Sequence, residues 1–353
     1  MKILVISLAG IGDTLMATPL IHELKENFPD SEIDVLVMWE SSKNILSDNP
    51  NVNEIFCFNM LKEGFYRTIR FCRELKKKNY DISINTYPQS KTQYRLVAKL
   101  IGAETRISHR YANWNFLDNF LVDKTIEEDY SKTCSENNLN LLKLLDKEPK
   151  LKKHEYEIYL TLKERFFAEG YIKKNRLGNK KLFGFHVGSG TTKNLGLRRW
   201  PLENYISLIR LVLNRYKNSG ILLFGGKNEE QLNSQIRKEI NDSRIFTVET
   251  ESIKEDVSLL KKCDVFVSVD TSSMHLATAA KTKKQIIIET PTLNDTVIPP
   301  RSDLIIIKNP GIVKNKLDYY SYDGKGIKAS KEEMESMMKT VTPEMVFDAV
   351  KKI

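Results

Sequence analysis

Residues 2–37, KILVISLAGIGDTLMATPLIHELKENFPDSEIDVLV, contain the clearest pattern of secondary structure in the chain. It opens on a short apolar run at 2–8, and a second apolar run begins at residue 33. Between the two runs, apolar residues recur with the spacing of one helix face, at Ala17, Leu20, Ile21, Leu24 and Phe28. A strand, a helix and a strand at this spacing form a βαβ unit, which requires a parallel sheet with helices on its faces. The sequence therefore predicts an α/β fold.

The same alternation continues along the chain. Further strands are predicted at 54–58, 81–84, 182–187, 221–224, 244–248, 265–269 and 285–289. The polar, basic stretch 173–181, KKNRLGNKK, interrupts the pattern, and we interpret it as a linker. The predicted organisation is an α/β domain over 1–172, a second one over 182–329, and C-terminal helices over 330–353. Helix starts are predicted there by the pairs Ser330 with Glu333 and Thr342 with Pro343. We expect these helices to pack back toward the N-terminal domain.

The composition excludes several classes of protein. The 353 residues suffice for two domains of about 150 residues. With 41% hydrophobic and 29% charged residues, the chain is neither disordered nor fibrous. It has no apolar run long enough to span a membrane, and its four cysteines include no CxxC pair, so we expect a cytoplasmic protein. The net charge of +9 favours an anionic partner, whether a phosphate, an acidic membrane surface or a nucleic acid.

The first candidate loop follows the first predicted strand and contains Gly10, Gly12 and Asp13. It fails the dinucleotide fingerprint G-x-G-x-x-G, because Leu15 stands at the third glycine position. Asp13 lies at a predicted helix N-terminus, where the helix dipole favours a carboxylate. On this loop alone, a helix cap is favoured over a catalytic carboxylate.

The second candidate loop is HVGSGTTKNLGLRRWP at 186–201. Small and hydroxylated residues after a strand offer N–H and O–H donors to phosphate oxygens, and arginines add positive charge. The candidate residues are Gly188, Gly190, Thr191, Thr192, Arg198 and Arg199. The loop lacks the spacing of a Walker A motif, and an ordinary solvated basic loop is the alternative. For His186 alone, a hydrogen-bonded core histidine is the favoured interpretation.

The third candidate loop is SVDTSSMH at 268–275, between a strand and an alanine-rich helix. Its hydroxyls and the backbone N–H groups of a helix start can bind an anion. Asp270 either accepts hydrogen bonds from ribose hydroxyls or orients the loop, and His275 lies one helical turn further on. The alternative is a simple helix cap with a surface histidine.

Together these loops resemble glycosyltransferase family 9, the ADP-heptose:lipopolysaccharide heptosyltransferases. The first 37 residues resemble the start of that family. FGFHVGSGTTKNLGLRRWPLENYISLI at 183–209 resembles its central block of strand, H-P-G, basic residue and W-P. SVDTSSMHLATAA at 268–280 resembles its D-[ST]-G-x-x-H-L-A-A signature, and ETPT at 289–292 stands where G-P-T is usual. The blocks fall in the order of the family across residues 1–300.

The resemblance implies a GT-B fold, in which two Rossmann-like domains face each other across a cleft and the C-terminal one binds the donor. It implies an inverting glycosyltransferase that moves heptose from ADP-heptose to a lipopolysaccharide-core or related glycan acceptor, with Asp13 as general base and no cofactor. The implied donor-binding residues are Thr191, Thr192, Arg198, Arg199, Lys227, Asp270, Thr271, Ser272 and His275, with Gly10, Gly12, Gly188 and Gly190 as loop backbone. No D-x-D motif is poised for a metal, so we predict a metal-independent reaction.

The chain departs from the family pattern at four positions. Val187 replaces the usual proline, Lys227 stands where some members have an acidic residue, and Ser272 and Thr290 each replace a glycine. Both glycine replacements add a side chain where backbone would approach the ligand, and a positive φ angle is one expectation there. A family member that uses another nucleotide sugar and a non-catalytic sugar-nucleotide-binding relative therefore stay open. A nucleotide-dependent oxidoreductase is a weaker alternative, because the dinucleotide fingerprint fails.

The expected partners are a nucleotide-diphosphate sugar and an anionic lipid-linked glycan. The clusters Lys76–Lys78, Lys152–Lys153 and Lys173–Lys174 are candidates for peripheral contact with the inner face of the inner membrane. Solvated surface lysines are an equally good interpretation of them. We expect no nucleic-acid partner, because the sequence contains no recognisable nucleic-acid-binding module.

Overall fold

The protein divides into two compact units in a computed structural model, which describes residues 1–190, 194–299, 301–322 and 325–352. Unit 1 is formed mainly by Met1–Tyr159, and unit 2 mainly by Leu160–Asn294 together with most of the later residues. Each unit contains one parallel six-stranded sheet with helices. The two-domain α/β prediction is therefore confirmed.

Unit 1 has the strand order β3-β2-β1-β4-β5-β6. Its strands are β1 (Lys2–Ser7), β2 (Glu32–Val37), β3 (Glu54–Cys57), β4 (Ile82–Asn85), β5 (Thr105–Arg110) and β6 (Lys124–Glu127). Its helices are α1 (Ile11–Asn27), α2 (Glu40–Leu46), α3 (Met60–Glu63), α4 (Phe65–Lys76), α5 (Thr92–Ile101), α6 (Asp118–Leu121) and α7 (Cys134–Asn140), followed by a 3₁₀ turn at Leu141–Leu145.

The sheet of unit 1 is apolar on both faces, which explains why its central strand is a continuous apolar run. Ile3 and Val5 of β1 belong to one core cluster, which includes the predicted α1 residues Leu20, Ile21 and Leu24. Leu4 and Ile6 belong to a second cluster on the opposite face, which α4 and α5 cover. The predicted helix over α1 is confirmed.

Unit 2 repeats this topology with the order β12-β11-β10-β7-β8-β9. Its strands are β7 (Lys181–His186), β8 (Ser219–Phe224), β9 (Ile245–Thr247), β10 (Val265–Val269), β11 (Lys284–Ile288) and β12 (Ile305–Ile307). Its helices are α8 (Leu162–Lys174), α9 (Leu202–Arg215), α10 (Glu230–Ile240), α11 (Ile253–Leu260), α12 (Ser272–Ala279), α13 (Lys316–Tyr319), α14 (Lys331–Lys339) and α15 (Pro343–Lys351), with a 3₁₀ turn at Leu195–Arg198.

The order of the strands reverses beside the first strand of each unit. In unit 1 this switch point lies between β1 and β4, and in unit 2 between β7 and β10. Ligands of open parallel sheets bind beyond the carboxyl ends of the strands at this point. The three candidate loops follow β1, β7 and β10, so each lies at a switch point.

The boundaries differ from the prediction in two places. Unit 2 begins at Leu160, because α8 packs on α11 of that unit, and the predicted linker 173–181 instead holds the end of α8 and the start of β7. The C-terminal helices 330–353, expected to pack toward the N-terminal domain, bury their apolar faces in the core of unit 2. The indole of Trp200 donates to the Val341 carbonyl at 2.8 Å, which fixes the turn between α14 and α15 there.

None of the helices within the described ranges combines the length and apolarity that crossing a membrane requires.

Candidate active site

The loop after β1 places Asp13 in the first turn of α1. One carboxylate oxygen of Asp13 accepts a hydrogen bond from the Gly10 N–H at 2.7 Å, so Asp13 caps its own helix. Gly10 precedes the helix in extended backbone, and Gly12 is the second residue of the helix. The capping role weighed in the sequence analysis is therefore present. It fixes the orientation of the carboxylate at the switch point of unit 1.

Three protonated side chains lie within electrostatic range of Asp13. Burial is the main cause that raises the pKa of Tyr94, Cys134 and Tyr156, and the Asp13 charge raises each of them further. Their hydroxyl and thiol groups therefore stay neutral at physiological pH. None of these three groups therefore competes with Asp13 as an anionic proton acceptor.

The neighbouring loop after β4 is tied to the Asp13 loop by Gln89. The Gln89 amide donates to the Ile6 carbonyl at 2.5 Å and to the Thr86 carbonyl at 2.9 Å, and its oxygen accepts from the Leu8 N–H at 3.0 Å. This buried side chain therefore fixes the spacing of the two loops at the switch point. The sequence analysis did not identify Gln89.

A fully buried ion pair holds the loop after β4 from the other side. The guanidinium of Arg95 lies 2.7 Å from Asp118, and neither side chain is exposed to solvent. Arg95 also donates to the carbonyls of Gln89 and Ser90, at 3.3 and 3.0 Å. Its charge is thus spread over a carboxylate and two backbone oxygens, which offsets part of the cost of burial.

In unit 2, Asp270 follows β10 and is surrounded by donors. One carboxylate oxygen accepts from Thr290, and the other accepts from Thr292 at 2.7 Å and from Arg198 at 3.1 Å. Arg198 also donates to the Thr292 hydroxyl at 3.2 Å. Both oxygens of this buried carboxylate are thus engaged within the protein. This favours the interpretation that Asp270 orients the site over the one in which it binds ribose hydroxyls.

Two buried histidines lie beside the arginine pair and stay neutral. Burial lowers the pKa of His186 to about 4, and the charges of Arg199 and Arg198 lower it further. Burial also lowers the pKa of His275 to about 3, with a smaller contribution from Arg198. The buried position predicted for His186 is confirmed, but its Nδ1 has no hydrogen-bond partner among the described residues, and the alternative of a surface histidine at His275 is wrong.

Several donors at the switch point of unit 2 have no partner among the described residues. They are the Nε atoms of Arg198 and Arg199 and the hydroxyl oxygen of Thr271, and each of these three atoms is shielded from solvent. Thr271 is also the N-cap of α12, whose first backbone N–H groups lack partners within the helix. Buried donors are normally satisfied, so two arginine donors and a hydroxyl that lack a partner among the described residues are suited to an anionic ligand.

One glycine of the loop after β7, Gly188, fits closely against a residue that the sequence analysis missed. A Cβ atom at Gly188 would lie 2.5 Å from Cγ and 2.6 Å from Cδ of Glu229, and one at Gly190 would lie 3.8 Å from Nη2 of Arg198. Glu229 is buried and accepts from the Gly226 N–H at 3.0 Å. Burial raises the pKa of its carboxyl, and the Arg199 charge partly opposes this shift. Its sequence signal is an acidic residue shortly after the Gly225-Gly226 pair.

The remaining predicted residues fall into three groups. Ser272 is the first residue of α12 and is partly exposed beside Thr271. Lys227 is exposed in the turn after β8. The same turn does contain a buried acidic residue, which is Glu229. Thr191 and Thr192 lie outside the residues that the structure describes.

The chain is similar to known glycosyltransferases along most of its length. The family model for glycosyltransferase family 9 (heptosyltransferase) matches residues 68–310 of the chain. Lipooligosaccharide heptosyltransferase 2 of Haemophilus influenzae is 26% identical over 323 residues, which cover 86% of this chain and 87% of that protein. Lipopolysaccharide heptosyltransferase 3 of Escherichia coli is 32% identical over 106 residues, and this alignment spans only 29% of this chain and 30% of that protein.

Two solved structures share the fold. The glycosyl transferase family 9 protein of Veillonella parvula has a TM-score of 0.78 at 19% identity, over 99% of this chain and 96% of its own. The ADP-heptose lps heptosyltransferase II of E. coli has a TM-score of 0.76 at 18% identity, over 100% of this chain and 98% of its own. At this identity, the likeness is one of fold.

Proposed function

This chain belongs to glycosyltransferase family 9, the heptosyltransferase family, and from that premise we propose its reaction. The proposed reaction is the inverting, metal-independent transfer of heptose from ADP-heptose to a lipopolysaccharide-core acceptor. The observation that carries the proposal is the set of buried donors on Arg198, Arg199 and Thr271 that have no partner in the described part of unit 2. Two arginines, a buried hydroxyl and a helix N-terminus match the charge and geometry of a diphosphate.

On the donor side, the two arginines stabilise the leaving group. Asp270 holds one end of the Arg198 guanidinium, and Nη2 of Arg198 is directed at the glycine loop after β7. As the bond between the anomeric carbon and the diphosphate oxygen breaks, its electron pair leaves with the nucleoside diphosphate. Fixed positive charge at that oxygen favours the transition state without reorganisation. We assign the same role to Thr271, and to Thr191 and Thr192 in the undescribed part of the loop.

On the acceptor side, Asp13 is the proposed general base. The acceptor hydroxyl attacks the anomeric carbon from the face opposite the leaving diphosphate, and its proton passes to the Asp13 carboxylate. A single displacement of this kind inverts the configuration and requires only one carboxylate. The cap to Gly10 orients Asp13, and the raised pKa values of Tyr94 and Cys134 keep these two neighbours from acting as the anionic proton acceptor in its place.

Asp13→Asn tests this assignment and separates the base from the cap. An asparagine oxygen still accepts the Gly10 N–H, so the helix cap survives, but the amide cannot take a proton. We expect the loss of a general base to lower the rate of transfer about 10²- to 10⁴-fold, with ADP-heptose binding retained. The matched control is Glu136→Gln, which makes the same change in the capping box of α7, where Glu136 accepts from the Thr133 N–H at 2.7 Å. Transfer at the normal rate by Asp13→Asn would refute the assignment.

A thermal-shift panel of ADP-, GDP- and UDP-sugars tests the donor. Stabilisation by ADP-heptose alone supports the proposal, and preference for another nucleotide supports a family member with a different donor. Donor binding without transfer to any acceptor supports a non-catalytic relative. The alternatives rest on Ser272 and Thr290, which replace glycines of the family pattern.

The proposed acceptor is an anionic, lipid-linked glycan, and we place the protein in the cytoplasm with peripheral contact at the inner face of the inner membrane. The net charge of +9 supports such a contact, because cytoplasmic leaflets are negatively charged.

A further inference from the structure

The segment of residues 60–78 presents large apolar side chains to solvent. It comprises α3 and α4 and follows β3. It therefore begins at the carboxyl ends of the parallel strands, where the Asp13 loop also follows β1. At its tip, Leu61 is 79% exposed, Phe65 68% and Tyr66 87%. Phe65 and Tyr66 contact each other edge to face, with ring centroids 5.9 Å apart. Clustered side chains of this size at a helix start normally have something to cover them.

The inner face of α4 is anchored to the sheet. Cys72 and Leu75 are buried in the core of unit 1, and Phe71 stacks on Phe58 with ring centroids 4.2 Å apart. The helix is therefore held in place while the tip stays exposed. Its outer face carries Tyr66, Arg70, Arg73 and Lys77 at helical spacing, all exposed.

The positive charge of this segment favours an anionic membrane surface as the partner that covers its exposed apolar side chains. Residues 60–78 contain seven Lys and Arg against two Glu, a net charge of +5, which is more than half of the +9 of the whole chain. Aromatic and aliphatic tips beside a dense row of cations are typical of helices that lie in a membrane interface. The rings enter the boundary between headgroups and acyl chains, and the cations contact anionic headgroups.

A second exposed apolar cluster lacks this charge. Phe116 is 73% and Phe120 60% exposed, and they also form an edge-to-face pair, with centroids 5.1 Å apart. Residues 111–121 around them contain one acidic residue, Asp118, and no Lys or Arg. Asp118 is buried and paired with Arg95, so the second cluster is like the first in ring geometry but lacks its positive charge, which makes it a matched control.

We propose that residues 60–78 form a membrane-docking element, which inserts Leu61, Phe65 and Tyr66 into an anionic bilayer. This proposal rests on the peripheral membrane contact of the proposed function and assigns that contact to a specific segment. The segment and the Asp13 loop both lie at the carboxyl ends of the strands of unit 1. Docking there would bring the proposed base close to the membrane surface that holds a lipid-linked acceptor.

The test is co-sedimentation of the full chain with vesicles of phosphatidylglycerol and phosphatidylethanolamine, compared with phosphatidylcholine alone. We expect binding only to the anionic vesicles, and weaker binding at high salt. Phe65→Ser/Tyr66→Ser should weaken the affinity on the order of tenfold or more. Arg70→Gln/Arg73→Gln should weaken it roughly 25-fold, at about fivefold for each basic residue. Phe116→Ser/Phe120→Ser should bind like the unchanged protein.

Three outcomes would overturn the proposal. They are no binding to anionic vesicles, equal losses in the two aromatic double variants, and a concentration-dependent dimer that Phe65→Ser/Tyr66→Ser abolishes while vesicle binding is unaffected. Circular dichroism checks that each variant is folded. Because the assay contains neither donor nor acceptor, its failure leaves the proposed reaction standing. Conversely, full activity of Asp13→Asn would leave the docking element standing.

Discussion

Gly188 has no room for a side chain because Glu229 occupies the space. A Cβ atom there would lie 2.5 and 2.6 Å from the Cγ and Cδ atoms of Glu229, closer than real Cβ contacts come. Glu229 cannot retreat easily, because its Cβ already packs against the Gly225 backbone, so closely that a Cβ added to Gly225 would lie only 2.5 Å away. Its carboxylate is also held by the hydrogen bond from the Gly226 N–H. In Gly188→Ala, either the loop after β7 or the Glu229 side chain must therefore move.

The size of the effect follows from these contacts. Overpacking a filled site costs about 1–3 kcal/mol, and the weakened hydrogen bond to Gly226 adds about 1 kcal/mol. We expect Gly188→Ala to lower the free energy of unfolding of unit 2 by about 2–4 kcal/mol. Glu229→Ala alone should lower it by about 1 kcal/mol, because the hydrogen bond to Gly226 is the main interaction lost and the interaction with the Arg199 charge is smaller. In the double variant the new methyl group has space, so its stability should match that of Glu229→Ala within about 0.5 kcal/mol.

The measurement is urea unfolding followed by tryptophan fluorescence. The chain has three tryptophans, and in a Trp39→Phe/Trp114→Phe background only the buried Trp200 of unit 2 reports. Gly178→Ala is the control, since no atom of the described neighbouring residues lies within 4 Å of the added Cβ and the change should be close to neutral. If the losses from Gly188→Ala and Glu229→Ala simply add in the double variant, the proposed steric coupling is wrong.

Two further predictions concern buried charges. Arg95→Leu should destabilise unit 1 by about 3–5 kcal/mol, because the Asp118 carboxylate stays buried without its cation. Adding Asp118→Leu should recover most of this loss in thermal unfolding followed by circular dichroism, and no recovery would contradict the argument. In unit 2, the pKa values of His186 and His275 are lowered to about 4 and about 3 from 6.5, so the unfolded chain binds more protons in this window. Stability reported by Trp200 should fall as the pH drops from about 6.5 toward 4, and less steeply in His186→Gln; equal slopes would count against the burial of a neutral histidine.

The parts of the fold that the sequence predicts are those with continuous apolar runs. β1, β2, β7 and β10 are central or nearly central strands, buried on both faces, and their apolar runs stand out in the sequence. β5 and β6, TRISHR and KTIE, mix charged with apolar residues and were missed. β6 is an edge strand, where solvent meets the polar side chains, so its sequence carries little periodicity.

The candidate site could be predicted only as far as its loops. Glycines, hydroxyls and arginines after a strand are local signals, and they located the loops after β1, β7 and β10. Gln89, Arg95 and Glu229 act through contacts with residues distant in sequence, as Gln89 does with Ile6, 83 positions away. For Gln89 and Arg95, nothing in the surrounding sequence distinguishes them from solvated residues, and for Glu229 the only local signal is its place shortly after Gly225-Gly226. The unit boundary at Leu160 could not be predicted either, because it depends on the packing of α8 against α11.

The two glycine replacements bear on whether the site of unit 2 is intact, and the structure changes how they are understood. A positive φ was one expectation at Ser272 and Thr290, but neither residue has one, so their side chains impose no backbone strain. Thr290 is fully buried, and its hydroxyl donates to Asp270, the carboxylate that also holds Arg198. Taking a carboxylate and a guanidinium out of water is costly unless the remaining lone pairs of the carboxylate are satisfied. The threonine supplies one of the donors that satisfy them, where a glycine has no side chain to do so. The replacement therefore strengthens the support of Arg198, which argues for a working anion site over a degenerate one.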